Sequence, residues 1–289
     1  MNYEGILYRP PSESQSLLIQ LTTGCSYNQC TYCAMYRDVQ FRVKPLEDVL
    51  SDIKEGAVYR FRRVFLCDGD ALITPQPQLF EVLRAIREHM PWVERVGIYG
   101  DTRSILKRKV EDLQALRNLG LGIIYHGIET GDDVTLKAIR KGATSKQITT
   151  AGQRVREAGI TYSAIVMLGI GGRQRSAEHV AATARVLNAI QPEFIGVLTT
   201  MVVEGTPLWD DTDAGRFQMP SRIGLIEELY ELLAALDVKK GLLTSQHASN
   251  YLPLRVVLPY EKEQAMKVLK DLIDRQDTSS LRPDYLRDL

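Results

Sequence analysis

Six times along this chain a short β-branched or apolar run is followed by an amphipathic helical stretch, and this alternation restricts the fold more than any other feature. The runs SLLIQLTT, RVFLCD, RVGIYG, GIIYHGIE, YSAIVML and FIGVLTTMV read as strands of a parallel sheet buried on both faces. Helices are expected to begin near Pro45, Pro75, Lys109, Asp132, Ser176 and Arg222. The expected fold is therefore α/β, a partial (β/α)6 TIM-like barrel. Residues 1–240 would form the barrel, and residues 241–289 a C-terminal closing segment of the same domain, with a last helix from Tyr260 to about Arg275. In such barrels the chemistry belongs at the C-terminal ends of the strands, where loops converge on a mouth.

Charge excludes some partners. Lys and Arg number 36, as do Asp and Glu, so no net field draws the chain toward nucleic acid or an anionic membrane. No apolar stretch is long enough to span a bilayer, and the first residues, MNYEGILYRPPSES, lack a basic segment followed by an apolar one, so a cytoplasmic location is expected.

Three of the four cysteines crowd into nine residues: Thr23-Gly24-Cys25-Ser26-Tyr27-Asn28-Gln29-Cys30-Thr31-Tyr32-Cys33. That spacing suits one metal centre in a reducing compartment better than a disulfide framework. Soft thiolates select iron–sulfur clusters, zinc or copper(I). A four-iron cluster on Cys25, Cys30 and Cys33 would leave one iron open to a chelating molecule. Two rivals stand beside it. Cys-x4-Cys-x2-Cys with a distant fourth cysteine is the spacing of a plant-type two-iron electron-transfer protein, with Cys67 as fourth ligand. A zinc-stabilised barrel would also use three or four thiolates. Against the first rival, Cys67 ends a strand of a long β/α chain, and if Asp68 and Asp70 continue that strand facing inward, Cys67 points outward. Its ordinary role would be that of a small buried hydrophobe.

Three cysteines after the first strand, with Tyr32 just before the last, resemble the radical S-adenosylmethionine (SAM) superfamily. The usual spacing there is Cys-x3-Cys-x2-Cys, one residue shorter in the first interval. The resemblance implies an oxygen-sensitive [4Fe-4S] cluster on Cys25, Cys30 and Cys33, and a SAM molecule cleaved reductively to a 5′-deoxyadenosyl radical that abstracts hydrogen from a small or medium organic substrate. It also implies an electron donor such as flavodoxin or ferredoxin. Gly69 and Asp70 would serve the SAM amino group. The segment Gly127-Ile128-Glu129-Thr130-Gly131 resembles the branch containing oxygen-independent coproporphyrinogen oxidase, the Elongator catalytic subunit and the methylthiotransferases, where the matching glutamate contacts the SAM ribose. Ser163 and Gly169, on and after the fifth strand, resemble the segment beside adenine. A further set of cluster cysteines, required for methylthiotransferase or lipoyl synthase chemistry, is absent.

Asp101 would face SAM or substrate, or cap the helix that follows it. His126 has the opposite strand parity to Glu129 and reads as a core or supporting residue. The polar segments Glu204–Leu208 and His247–Pro253 suggest a substrate lining, with His247, Asn250 and Tyr251 as contact candidates, or else a hydrogen-bonded turn.

Overall fold

A computed structural model describes residues 1–288. All six expected strands form. They are β1 (Leu17–Gln20), β4 (Arg63–Cys67), β5 (Arg95–Tyr99), β6 (Leu121–Glu129), β7 (Thr161–Leu168) and β8 (Phe194–Thr199). The run SLLIQLTT splits, because Thr22–Thr23 (β2) leaves the main sheet to pair antiparallel with Arg42–Val43 (β3). Two further strands, β9 (Gly241–Thr244) and β10 (Arg255–Leu258), come from the region expected only to close the barrel. Each is four residues long, too short to stand out as a periodic run.

The main sheet has eight strands in the order β1-β4-β5-β6-β7-β8-β9-β10. Pairing is parallel from β1 to β4, β4 to β5, β5 to β6, β7 to β8 and β8 to β9, and β10 runs antiparallel to β9. Parallel strands buried on both faces require apolar residues throughout, and Val64, Phe65, Leu66, Ile123, Ile124, Ile195 and Val197 are all essentially inaccessible.

The helices are α1 (Leu46–Gly56), α2 (Gln76–His89), α3 (Thr102–Leu106), α4 (Val110–Asn118), α5 (Asp133–Ala138), α6 (Ser145–Glu157), α7 (Ser176–Ile190), α8 (Pro207–Asp213), α9 (Arg222–Ala235) and α10 (Lys262–Arg275). Side chains at the N-caps start several of them: Asp101 for α3, Asp132 for α5, Thr206 for α8 and Ser221 for α9 each accept a first-turn amide. No helix among the described residues is long and apolar enough to cross a membrane.

Packing divides the chain into two compact units. One comprises Met1–Asn28, Met35–His126 and Ala151–Tyr162; the other comprises Gln29–Ala34, Gly127–Thr150 and Ser163–Leu289. Within the first, Glu13 is fully buried and takes hydrogen bonds from Ser16, Arg95 and Tyr125, which satisfy its carboxylate away from water.

Candidate functional site

The cysteine loop leaves β2 and returns through β3, so the two-stranded ladder Thr22↔Val43 and Thr23↔Arg42 pinches its base. Thr23 Oγ1 donates to the Gln40 carbonyl at 3.0 Å, and Asn28 Nδ2 to the Tyr36 carbonyl at 2.6 Å. The loop's middle segment is held separately: Thr31 N–H donates to Ile139 O at 3.0 Å, and Thr31 O accepts from Leu208 N–H at 3.1 Å. Cys25, Cys30 and Cys33 form no disulfide, and each is half-buried. Among the described residues no three Cys, His, Asp or Glu side chains are grouped closely enough to hold a metal ion.

Beyond β4 the strand stops at Cys67, and a one-turn 3-10 helix (Ala71–Ile73) follows, so Asp68 and Asp70 do not continue the strand as expected. Each is drawn into its own hydrogen bonds instead. Asp68 accepts from Gln20 Nε2 at 3.0 Å and from Tyr36 Oη at 3.5 Å. Asp70 accepts from Ser26 Oγ and Ser104 Oγ, both at 2.5 Å, and from Asp101 N–H at 2.9 Å. Burial pushes both carboxyls up to about 6, and the nearby Asp101 charge adds to the effect on Asp70. Gly69, between them, lies against Tyr36 and Cys25. The turn thus brings an acid pair beside the first cysteine.

Cys67 is fully buried, with its sulfur 3.7 Å from Ile19 O and 3.8 Å from Phe65 O. Burial first, then the Asp68 charge, pushes its thiol well up, so it stays protonated. This is the small-hydrophobe environment rather than that of a thiolate ligand.

At the end of β6, Glu129 adopts φ +60, an uncommon conformation for a residue with a side chain. Its carboxylate is buried and takes a 2.8 Å bond from Lys141 Nζ. Burial, then the Glu129 charge, drives the Tyr32 hydroxyl well above its usual range, so it remains a donor. A Cβ on Gly127 would collide with Glu129 Oε1, which accounts for glycine two residues before the glutamate. Tyr32 also packs with Ile139, Met167, Ile170 and Leu198.

Gly169, after β7, has φ +76, and a Cβ there would lie 2.7 Å from Met219 Cε and 2.9 Å from Leu225 Cδ2. Ser163 is buried near the start of β7, six residues earlier, roughly 20 Å away along an extended strand. The structure does not bring it to the Gly169 turn.

The substrate-contact candidates are committed to internal bonds. Asp101 Oδ1 accepts from its own helix at Arg103 N–H (2.9 Å) and from Arg103 Nε (2.8 Å), while that guanidinium stacks 4.0 Å over the Tyr27 ring. Asn250 accepts from Thr199 Oγ1 at 2.9 Å and donates to Val197 O at 2.7 Å. His247 pairs with Ser249 Oγ at 2.9 Å, and the Tyr251 hydroxyl with Asp284 and Arg287 at 2.6 Å. His126 is fully buried between Thr102 Oγ1 (2.8 Å) and Tyr162 Oη (2.6 Å), a supporting role in line with its parity.

Sequence reasoning missed Lys141, Arg175, His179 and Glu228. Lys141 carried no signal. Glu228 did: it falls on the apolar face of α9 marked by Leu225, Leu229 and Leu232, where a carboxylate is out of pattern.

Comparison with known proteins supplies a family. The model of the radical SAM superfamily matches residues 19–187. A biotin synthase from Neisseria meningitidis is 25% identical over 212 residues, covering 71% of this chain and 58% of that protein. Coproporphyrinogen III oxidase of Escherichia coli, a solved structure, superposes with a TM-score of 0.55 at 14% identity, covering 76% of this chain and 51% of the other. The archaeal Methanocaldococcus infernus Elp3 gives 0.54 at 14% identity over 89% and 63%. These likenesses establish a shared partial-barrel α/β fold. The chain spans about a third to three-fifths of the length of the curated relatives it matches.

Proposed function

This chain belongs to the radical SAM superfamily, and from that premise we propose that Cys25, Cys30 and Cys33 hold a [4Fe-4S] cluster at which SAM is cleaved reductively. The donor set fits: three half-buried cysteines outside any disulfide, on one loop, are soft ligands, and their number leaves one iron without a protein ligand. When bound and reduced, the cluster supplies the electron that splits SAM into methionine and a 5′-deoxyadenosyl radical, which takes hydrogen from a substrate.

The chain's own residues bind and orient. The Gly69-Asp70 turn offers negative charge to an ammonium, with the buried Asp70 carboxylate acting from behind the backbone. Glu129, fixed by Lys141, suits a ribose because a carboxylate accepts two hydroxyl hydrogen bonds. The Gly169 turn lets backbone lie close to adenine. The observation that carries this reading is the Thr31 N–H bond to Ile139 O at 3.0 Å, since it ties the residue after Cys30 to the segment between the strand-end Glu129 and its partner Lys141. The substrate would be a small or medium organic molecule, and the electron donor a flavodoxin or ferredoxin.

The test is anaerobic: reconstitute the cluster, add dithionite and SAM, and assay 5′-deoxyadenosine beside Cys30→Ala. Formation that depends on Cys30 supports the proposal. No product from a fully loaded four-iron cluster, with or without candidate substrates, argues for electron transfer instead.

A further inference from the structure

A chain of buried polar groups in the second unit takes no part in the contacts assigned above. It begins on α9, where Glu228 is 2% exposed; Oε2 accepts from Gly169 N–H at 2.6 Å and Oε1 from Ser176 Oγ at 2.6 Å. His179 Nε2 on α7 stands 4.0 Å from the same Oε2, and its Nδ1 lies 2.7 Å from Thr130 Oγ1. Thr183, one turn along α7, donates to His179 O at 2.6 Å and receives Gly131 N–H at 2.9 Å. Asp132 N–H donates to Thr130 Oγ1 at 3.0 Å.

We propose that His179 and Glu228 are positioning residues that lock the Thr130-Gly131 loop and the Gly169 turn into one frame for SAM, without touching the cofactor themselves. This rests on the reading that Glu129 and Gly169 border the ribose and the adenine.

A carboxylate taken out of water is expensive unless it is paired and hydrogen-bonded, and packing alone would favour leucine at position 228, matching Leu225, Leu229 and Leu232 on the same face. Burial pushes Glu228 up to about 7, as expected where no fixed cation compensates. What the carboxylate gains there is the backbone of Gly169, in a left-handed turn already crowded by Met219 and Leu225. It also gains Ser176, the first residue of α7.

His179 extends the frame. Burial lowers it to about 4, so the ring is neutral at physiological pH. A neutral imidazole donates from one nitrogen and accepts at the other. Because Asp132 N–H already donates to Thr130 Oγ1, the threonine hydroxyl can give its proton to Nδ1, leaving Nε2–H facing Glu228 Oε2 at 4.0 Å, too long for a hydrogen bond. Both loops are tied to α7, the β6 loop through His179 and Thr183 and the β7 turn through Glu228 and Ser176. Breaking either member frees one loop from the other, and a cofactor held by both should lose affinity.

The test measures SAM dissociation constants by equilibrium dialysis on cluster-loaded protein, with iron content and circular dichroism confirming folding. Glu228→Leu leaves Gly169 N–H unpaired, and it and His179→Leu are each expected to weaken SAM binding about tenfold. Glu228→Gln keeps an oxygen for Gly169 and should restore binding to within about threefold of wild type, a rescue that loss of packing would not give. If Glu228→Leu does not fold, Thr130→Val cuts the same chain with its shape preserved and should weaken SAM binding about fivefold. Glu129→Ala is the control. Wild-type affinity in the Glu228, His179 and Thr130 variants, while Glu129→Ala binds poorly, overturns the frame alone; wild-type affinity in Glu129→Ala as well overturns the cofactor reading beneath it.

Discussion

Arg175 closes on Asp132 through two parallel hydrogen bonds, Nε to Oδ2 at 2.8 Å and Nη2 to Oδ1 at 3.0 Å. The same carboxylate starts α5, taking Thr135 N–H at 3.0 Å and Thr135 Oγ1 at 2.6 Å, so one side chain both caps a helix and anchors the loop after β7. The Arg175 guanidinium, more than the Thr135 bonds, holds this carboxyl well below the usual carboxylate range despite burial.

Asp132→Asn is therefore expected to cost roughly 1–2 kcal/mol at pH 7, lowering the melting temperature by a few degrees. The sign follows from the lowered value in the folded state: the stabilisation is complete above the unfolded carboxylate pKa and is lost as pH falls through the folded one. Melting curves of the two proteins should converge as pH drops below about 3. A gap that stays constant down the acid limb would contradict an ionised Asp132 as its source.

Cys67 separates the rival metal centres. Its protonated, fully buried thiol should tolerate alanine at a cost of about 1 kcal/mol, with iron and sulfide per chain and the visible spectrum of the reconstituted protein unchanged. Loss of the cluster in Cys67→Ala, with folding intact, would restore the two-iron reading.

The six main strands and the six expected helix starts were legible because parallel buried strands are written as continuous apolar runs and the helices that follow as 3.6-residue periods. Most illegible features depend on partners distant in the chain, whereas β9 and β10 are too short to show a period. Thr22 and Thr23 continue the run of β1 in sequence, yet they pair with residues twenty positions later. The expectation that Asp68 and Asp70 extend β4 failed because Gln20, Tyr36, Ser26 and Ser104 capture their carboxylates. His247, Asn250 and Tyr251 read either as a lining or as a hydrogen-bonded turn because they are polar and clustered, and their bonds go to Ser249, Val197 and Asp284. Glu129 was singled out by its motif alone, while Lys141, which fixes it, lies twelve residues on in an unremarkable turn.

Gly127 tests how closely Glu129 is fitted. Alanine there would drive its methyl group into Oε1, and the carboxylate would have to shift away from Lys141. Gly127→Ala should raise the SAM dissociation constant about tenfold while leaving cluster content unchanged, since no cysteine is touched. Equilibrium dialysis beside iron analysis reads both, and undiminished SAM affinity would mean that Glu129 is not the ribose ligand.

Asp70 sets stability against binding. Its carboxyl, fully buried and raised to about 6, is favoured in its protonated form by the folded protein. The stability this confers is fully present below the unfolded carboxylate value and is lost as pH rises through about 6, so at pH 8 the ionised group imposes a penalty of roughly 2–3 kcal/mol. Asp70→Asn keeps an acceptor for Asp101 N–H and should melt higher than wild type at pH 8, with the advantage shrinking toward pH 5. An ammonium, however, needs the charge that asparagine lacks, so SAM binding should weaken about tenfold in this variant. In the wild type it should weaken as pH falls below about 6. Thermal melts and dialysis at pH 5, 6, 7 and 8 read the two effects on the same samples. Greater stability without loss of SAM affinity would leave Asp70 a purely structural acid, and the ammonium would then have to be sought at another turn.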